Sequence, residues 1–225
     1  MKILKTPWRL SGLSGLLFVG LSFFASGINT LPPAYTMETA VYSQWFAQNG
    51  EWFRFGHVLA GLAFLLFYFP FYAGLCEKLK EAEGKPAIWT RVTWAGAIMS
   101  PAAGTIAGAF IMGLALLGPD VARNVARFGI SANYYAYVVS GAYGGIAMIG
   151  AAVIILRTGV FGRWLGWTGL WTGIAAIASV GTLVENNPNG FFGTVNGLAW
   201  LIYFLWIAAL SIVLIRIPRE KTPTE

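Results

Sequence analysis

Apolar residues in this chain run in long unbroken stretches separated by short clusters of charge. They show neither the strict alternation of a half-buried strand nor the single apolar stripe of a soluble helix. Crossing about 30 Å of hydrocarbon takes roughly 20 helical residues. Six stretches meet that length: Leu10 to Ile28, Phe55 to Leu75, Val92 to Leu117, Tyr134 to Leu156, Trp164 to Val184 and Val195 to Ile215. Backbone amides in lipid must be satisfied within the spanning segment, so each is predicted to be a helix, since a closed barrel would need the alternation these stretches lack. The expectation is an all-α polytopic membrane protein: six transmembrane helices in an antiparallel up-down bundle, one membrane domain over residues 1–225.

Between the first two stretches, Met37, Val41 and Trp45 recur at helical spacing, with Asn49-Gly50 as a stop signal. This predicts a short helix on the membrane surface after Pro32 and Pro33, with an irregular lid as the alternative. Pro70 and Pro101 fall inside spans and predict kinks without breaks, because neighbouring groups in a bundle can re-satisfy the freed carbonyls.

Composition supports the membrane reading: 57% of the 225 residues are hydrophobic and 11% charged, where a soluble domain has about a quarter charged. The formal charge of +6 could suggest nucleic acid, but the bases sit beside the ends of apolar runs, as charges facing an anionic leaflet do. Nucleic acid is therefore excluded as a partner. Lys2, Lys5, Arg9, Lys78, Lys80, Lys85, Arg91, Arg157, Arg163, Arg216, Arg219 and Lys221 all fall on one side if six helices alternate, which leaves Arg54, Arg123 and Arg127 on the other. The positive-inside rule then predicts cytoplasmic N- and C-termini. The first run, with Ala25, Ser26 and Gly27 near its end, imitates a signal peptide. Its length exceeds the 7 to 15 apolar residues of such peptides, so it is read as a retained span.

Several glycines suggest close helix packing: Gly141, Gly144 and Gly145 crowd one part of the fourth span, and Gly104 with Gly108 and Gly169 with Gly173 are spaced GxxxG. The small-xxx-small spacing lets helix backbones approach. Arg9-Leu-Ser-Gly12-Leu-Ser-Gly15, Arg163-Trp-Leu-Gly166-Trp-Thr-Gly169 and, more loosely, Arg91-Val-Thr-Trp94-Ala-Gly96 look like three copies of one entry pattern. They suggest three helical hairpins related by an axis along the membrane normal, or convergence on a common way to begin a span.

Candidate chemistry gathers on the side away from the basic clusters. Arg54, His57, Gly61, Leu65, Tyr68 and Tyr72 recur at roughly helical spacing; Tyr134, Tyr137, Gly141 and Gly144 share another helix face; Glu185 and Asn186 end the fifth span. A pocket of Arg54, His57, Tyr134, Tyr137, Glu185 and Asn186 would place a titrating histidine beside a carboxylate and an arginine. The competing reading is solvation alone, with Arg54 and His57 as headgroup anchors, the tyrosines as an aromatic belt, and Glu185 with Asn186 as cap and turn. The tryptophans near span ends, Trp8, Trp89, Trp94, Trp164, Trp167, Trp171 and Trp200, fit the same belt, with an aromatic cage for an apolar ligand as the alternative.

One cysteine, Cys76, and one histidine, His57, exclude an internal disulfide, an ordinary zinc site and a bis-histidine haem made by one chain. The sequence contains no glycine-rich phosphate loop, HExxH, GxSxG or acidic metal cluster, and no cofactor or metal is predicted.

Leu156-Arg157-Thr158-Gly159-Val160, followed by Arg163-Trp164-Leu165-Gly166-Trp167, resembles the turn between helices four and five of small, uncharacterised six-helix bacterial membrane proteins of actinobacterial type. The second helix leading into Leu79-Lys80-Glu81-Ala82-Glu83-Gly84 is similar to theirs as well. The resemblance implies a six-helix bundle in a bacterial inner membrane and carries no activity or catalytic residue. The functional expectation is a non-catalytic bundle that binds lipid, an apolar ligand or partner membrane helices as an accessory subunit. The alternatives are a small transporter or sensor using the outward-facing polar pocket, and a membrane enzyme for which His57 with Glu185 is the one candidate pair.

Overall fold

Hydrocarbon leaves the backbone little choice but helix, and the computed structural model, which describes residues 7–28, 38–117 and 123–217, is built of helices joined by tight turns. Lys2, Lys5, Pro32, Pro33, Met37, Arg219 and Lys221, used in the orientation and loop readings above, lie outside the described residues. Helix α1 spans Pro7–Ile28, α2 Thr39–Ala63, α3 Phe69–Glu83, α4 Ile88–Leu117, α5 Arg123–Thr158, α6 Arg163–Ala178, α7 Thr182–Glu185 and α8 Phe191–Arg216. A π-helical turn, Phe64–Tyr68, carries α2 directly into α3, and a 3-10 turn, Ser179–Gly181, carries α6 into α7. Among the described residues, six continuous helical segments are long and apolar enough to span a membrane: Trp8–Ile28, Gln44–Glu83, Ile88–Leu117, Asn124–Thr158, Arg163–Glu185 and Phe191–Arg216. The protein is an all-α polytopic bundle.

The second segment departs most from the sequence reading. No separate surface helix ends at Asn49-Gly50, because α2 runs through both residues into the span. Asn49 is accommodated by donating its Nδ2 to the carbonyl of Trp45 at 3.0 Å, which satisfies the side chain without stopping the helix. The face expected on this segment also breaks. Leu65 is 68% exposed, while Tyr68 and Tyr72 are fully buried. The wider π turn takes up one extra residue, so the residues beyond it are rotated relative to those before it. Pro70 follows this turn at the start of α3. It has no N–H and its ring crowds the carbonyl one turn back, and the loosened turn absorbs both without breaking the rod. In α4, Pro101 is buried inside the continuous helix, and Thr105 Oγ1 donates to its carbonyl at 2.8 Å.

The spans form a closed ring in sequence order. Each packs on the next, and α1 packs on α8 to close it. The core, running from Phe18 through Tyr72, Leu75 and Ile155 to Trp206 and Leu210, draws on α1, α3, α5 and α8. A smaller apolar cluster of Tyr42, Phe46, Phe53, Ile111, Leu114 and Ile130 joins α2, α4 and α5 at the face away from the basic residues.

Of the three entry patterns, the first and the Arg163 copy sit alike in this ring, each setting its first glycine on the preceding span (a Cβ on Gly166 would meet Leu156 and Ile155 of α5), and the looser Arg91 copy differs. A Cβ on Gly12 would collide with the Ser211 carbonyl and Ile215 of α8, the preceding span in the ring. One on Gly96 would meet Ala147 N at 2.6 Å and Tyr143 O at 2.7 Å in α5, the following span. Another close backbone approach is reciprocal: a Cβ on Gly145 would lie 2.6 Å from Gly173 O, and one on Gly173 would lie 2.6 Å from Gly145 O. Gly141, Gly144 and Gly169 face Trp200, Ser100 and Trp206 across helix contacts, and Gly104 faces Ser140 Oγ at 3.3 Å. Gly108 is the exception among the predicted packing glycines, since a Cβ there would meet nothing within 4 Å. Helices α4 and α5 press together at Gly96 and Gly150, on the basic side of the GxxxG pair.

The turn between α5 and α6 explains the conspicuous pattern around Gly159. Gly159 and Gly162 have φ of +74° and +91°, conformations glycine adopts without steric cost. Gly159 N closes α5 on Ile155 O at 2.7 Å, and Leu165 N starts α6 on Gly162 O at 3.1 Å, with Phe161 buried between the two glycines.

Candidate functional site

The residues expected to form one outward-facing pocket make their described contacts in three separate places. On α2, His57 Nδ1 lies 3.1 Å from the carbonyl of Phe53 in its own helix, and its ring packs on the Phe53 ring at 4.1 Å between centroids. Arg54 Nη1 donates to Ala115 O at 3.5 Å, tying α2 to the end of α4. Neither side chain is joined by a hydrogen bond or ion pair to Glu185 among the described residues.

Glu185 works locally. Its two carboxylate oxygens accept the backbone N–H groups of Phe191 at 2.9 Å and Phe192 at 3.0 Å, which are otherwise unsatisfied donors at the start of α8. Asn186 makes the reversal possible with a left-handed backbone at φ 50°, and its Oδ1 accepts from Tyr135 Oη at 3.5 Å. Tyr134 lies near Thr182 and within electrostatic reach of Glu185 and Tyr135. Tyr137 stacks on Trp200 at 5.1 Å. Tyr134 and the Glu185 turn are thus brought together, while Arg54 and His57 pack elsewhere.

A buried cluster of hydroxyls in the bundle interior was not expected from the sequence. Tyr68 Oη and Tyr72 Oη lie 3.1 and 3.0 Å from the Tyr203 hydroxyl, and all three side chains are buried. Tyr203 sits near the middle of α8, so the three hydroxyls meet at mid-membrane depth, where an unpaired hydroxyl is costly. They reach one another because the π turn brings Tyr68 and Tyr72 onto the face that looks at α8. The available signal was Tyr203 itself, a lone hydroxyl in the apolar run Trp200-Leu201-Ile202-Tyr203-Phe204-Leu205.

Next to this triad, Gly141, Gly144, Met148, Asn196, Trp200 and Tyr203 line a cavity of about 10 Å³, roughly the space of one water-sized probe. Asn196 Nδ2 donates to Ser179 Oγ at 2.9 Å, and Ser179 Oγ donates to Ala176 O at 2.7 Å. The buried Trp200 Nε1 has no acceptor among the described residues. Ser140 Oγ donates to Ser100 O at 2.7 Å, adding a polar link between α4 and α5. Hydroxyl, amide and indole groups of this kind pair helices with one another; they contain no ionisable acid-base pair. Among the described residues no cluster of three His, Cys, Asp or Glu side chains has a geometry able to hold a metal ion, and Cys76 is buried as a free thiol.

The lateral surface of α6 is different in character. Trp164, Trp167, Trp171 and Ile174 are 60%, 52%, 64% and 43% exposed. Their spacing puts them on one face, while Gly166, Gly169 and Gly173 on the other face press against α5 and α8. No family model matches this chain, and no curated protein or solved structure is similar to it.

Proposed function

We propose that this chain is a non-catalytic integral membrane protein of the accessory-subunit kind, which acts by docking a partner transmembrane helix along the tryptophan face of α6. The observation that carries the reading is the ridge of Trp164, Trp167 and Trp171. Tryptophan favours the membrane interface, where its indole N–H reaches water or headgroups. Trp171 stands about 12 Å along the axis from Arg163, about two turns into the span and past the interfacial belt. Lipid tails supply no acceptor at that depth, whereas a partner helix supplies carbonyls, hydroxyls and packing surface. The hydroxyls of Tyr68, Tyr72, Tyr203 and Ser140 and the Asn196 amide hold the bundle's own helices together, and the tryptophan ridge is the broad exposed surface left for a partner.

The basic clusters face the cytoplasm in this reading, by the positive-inside rule. The membrane is the bacterial inner membrane, a placement that rests on the resemblance of the α5–α6 turn.

A photoreactive benzoylphenylalanine in place of Ile174, irradiated in native membranes, tests the docking face. The expected result is a discrete protein adduct that is lost on Trp167→Leu/Trp171→Leu, with no such adduct from the same probe at Leu205 on α8. Lipid adducts alone from position 174 would overturn the partner-helix reading in favour of lipid contact, and a small-molecule adduct would replace the helix with an apolar ligand.

A further inference from the structure

The basic face carries a cavity of about 360 Å³ between the α3–α4 turn and the C-terminal end of α5. It is separate from the tryptophan face of α6. Lys85 and Arg157 supply its cationic wall, with the Thr158 hydroxyl beside them; Ile88, Trp89 and Ile154 supply an apolar one. Glu83 also borders the space, but its carboxylate is held by α4: Oε1 accepts Trp89 N at 2.8 Å, and Oε2 accepts Thr90 N at 2.9 Å and Thr90 Oγ1 at 2.7 Å. Arg157 feels the Glu83 charge at longer range. The ion pairs among the described residues are Lys78 with Glu81 and Lys80 with Glu77, so neither Lys85 nor Arg157 has a carboxylate in contact.

Two cations without carboxylate partners, set against an apolar wall at the end of the membrane spans, match a phosphate attached to something apolar. The Arg157 guanidinium presents paired donors to phosphate oxygens, and Lys85 adds a point charge. Basic pockets between helices at a membrane surface recognise acidic lipid headgroups in this way. We propose that this cavity binds the headgroup of an anionic phospholipid, with its phosphate on Lys85 and Arg157 and its glycerol backbone against Trp89 and Ile154. A free phosphate ester shares the anionic chemistry but makes no use of the apolar wall.

The test uses the full chain in detergent and native mass spectrometry, with phosphatidylglycerol or phosphatidylcholine as probe. Phosphatidylglycerol should be retained preferentially. Lys85→Gln and Arg157→Gln should each weaken its binding by about fivefold, while Arg163→Gln, on the same face outside the cavity, should leave it unchanged. Both cavity side chains are exposed, and thermal melts matching the parent protein will show that the variants remain folded. Equal retention of the two lipids, or an equal loss with Arg163→Gln, would overturn the site. Displacement of bound phosphatidylglycerol by millimolar inorganic phosphate would overturn the lipid as its occupant and assign the cavity to a soluble phosphate.

Discussion

Glu83 and Glu185 stand in the same relation to the helices that follow them. Each carboxylate accepts the backbone N–H groups of the sixth and seventh residues downstream, at 2.8 and 2.9 Å for Glu83 and at 2.9 and 3.0 Å for Glu185. One clamp lies at the basic face and the other at the opposite face. In both cases the residue ending one span supplies the negative charge that the N-terminus of the next one favours, so a single side chain fixes the turn and the helix start together.

Removing either carboxylate should loosen a turn without unfolding the bundle. Glu185→Ala is expected to lower stability by about 1 kcal/mol, the usual worth of a helix cap. Glu83→Ala should cost more, because the Thr90 hydroxyl loses its acceptor as well. Gly190→Ala should resemble Glu185→Ala, since a Cβ at that position would fall on the Glu185 carboxylate. Thermal unfolding in detergent measures all three, and an unchanged melt for Glu185→Ala would count against the cap.

The tyrosine triad should behave as a unit with Tyr203 at its centre. Tyr203→Phe strands two buried hydroxyls and is expected to cost about 1–3 kcal/mol, whereas Tyr68→Phe or Tyr72→Phe each removes one hydrogen bond and costs about 0.5–1.5 kcal/mol. Replacing all three by Phe should recover much of the loss, because no donor is then left unpaired. Denaturant titration of the four variants reads the ordering. Equal costs for the three single variants would show that the hydroxyls act independently.

Glycine substitutions should separate contact from helix propensity. Gly145→Ala and Gly173→Ala each place a methyl group on the carbonyl of the other glycine, forcing α5 and α6 apart at a cost of about 1–3 kcal/mol. Gly108→Ala meets nothing within 4 Å and should stabilise the protein by up to about 1 kcal/mol through helix propensity. Opposite signs in the same melting assay are the expected result.

The π turn can be tested by deletion. Removing Leu65 together with Pro70→Ala should close the turn to a regular α-helix and keep both flanking segments in their seats. Removing Ala73 instead rotates the rest of α3 by about 100° and takes Leu75 and Leu79 out of the core. Gel filtration should give a monodisperse peak for the first variant and aggregation for the second. The reverse outcome would mean that the π turn itself is required.

The spans were legible in the sequence because hydrocarbon acts on every residue of a segment, and long apolar runs bounded by Arg91, Arg157 and Arg163 are hard to misread. Azimuth was much less legible. Between His57 and Tyr68 a regular helical count fails, since a π turn has no side-chain pattern that separates it from the α-helix on either side. Asn49-Gly50 carried the composition of a helix end, yet Asn49 bonds back to Trp45 and the helix continues. The outer polar residues shared a depth, and depth alone did not bring Arg54 and His57 to Glu185. Tyr203 is hard to read from sequence because its hydrophobic neighbours mask one hydroxyl, whose partners lie 131 and 135 residues earlier in the chain.

The ring closure between α1 and α8 bears on biogenesis. Because Tyr68 and Tyr72 leave the ribosome well before Tyr203, the second span enters the bilayer with two hydroxyls whose permanent partner has not yet been made, and the groove between the first and fifth spans stays open until the last segment slots in. Helix α8 therefore serves as the keystone of this ring. A chain stopped before α8 would present a polar notch at the centre of the membrane, a mark by which quality control can tell an unfinished copy from a complete one.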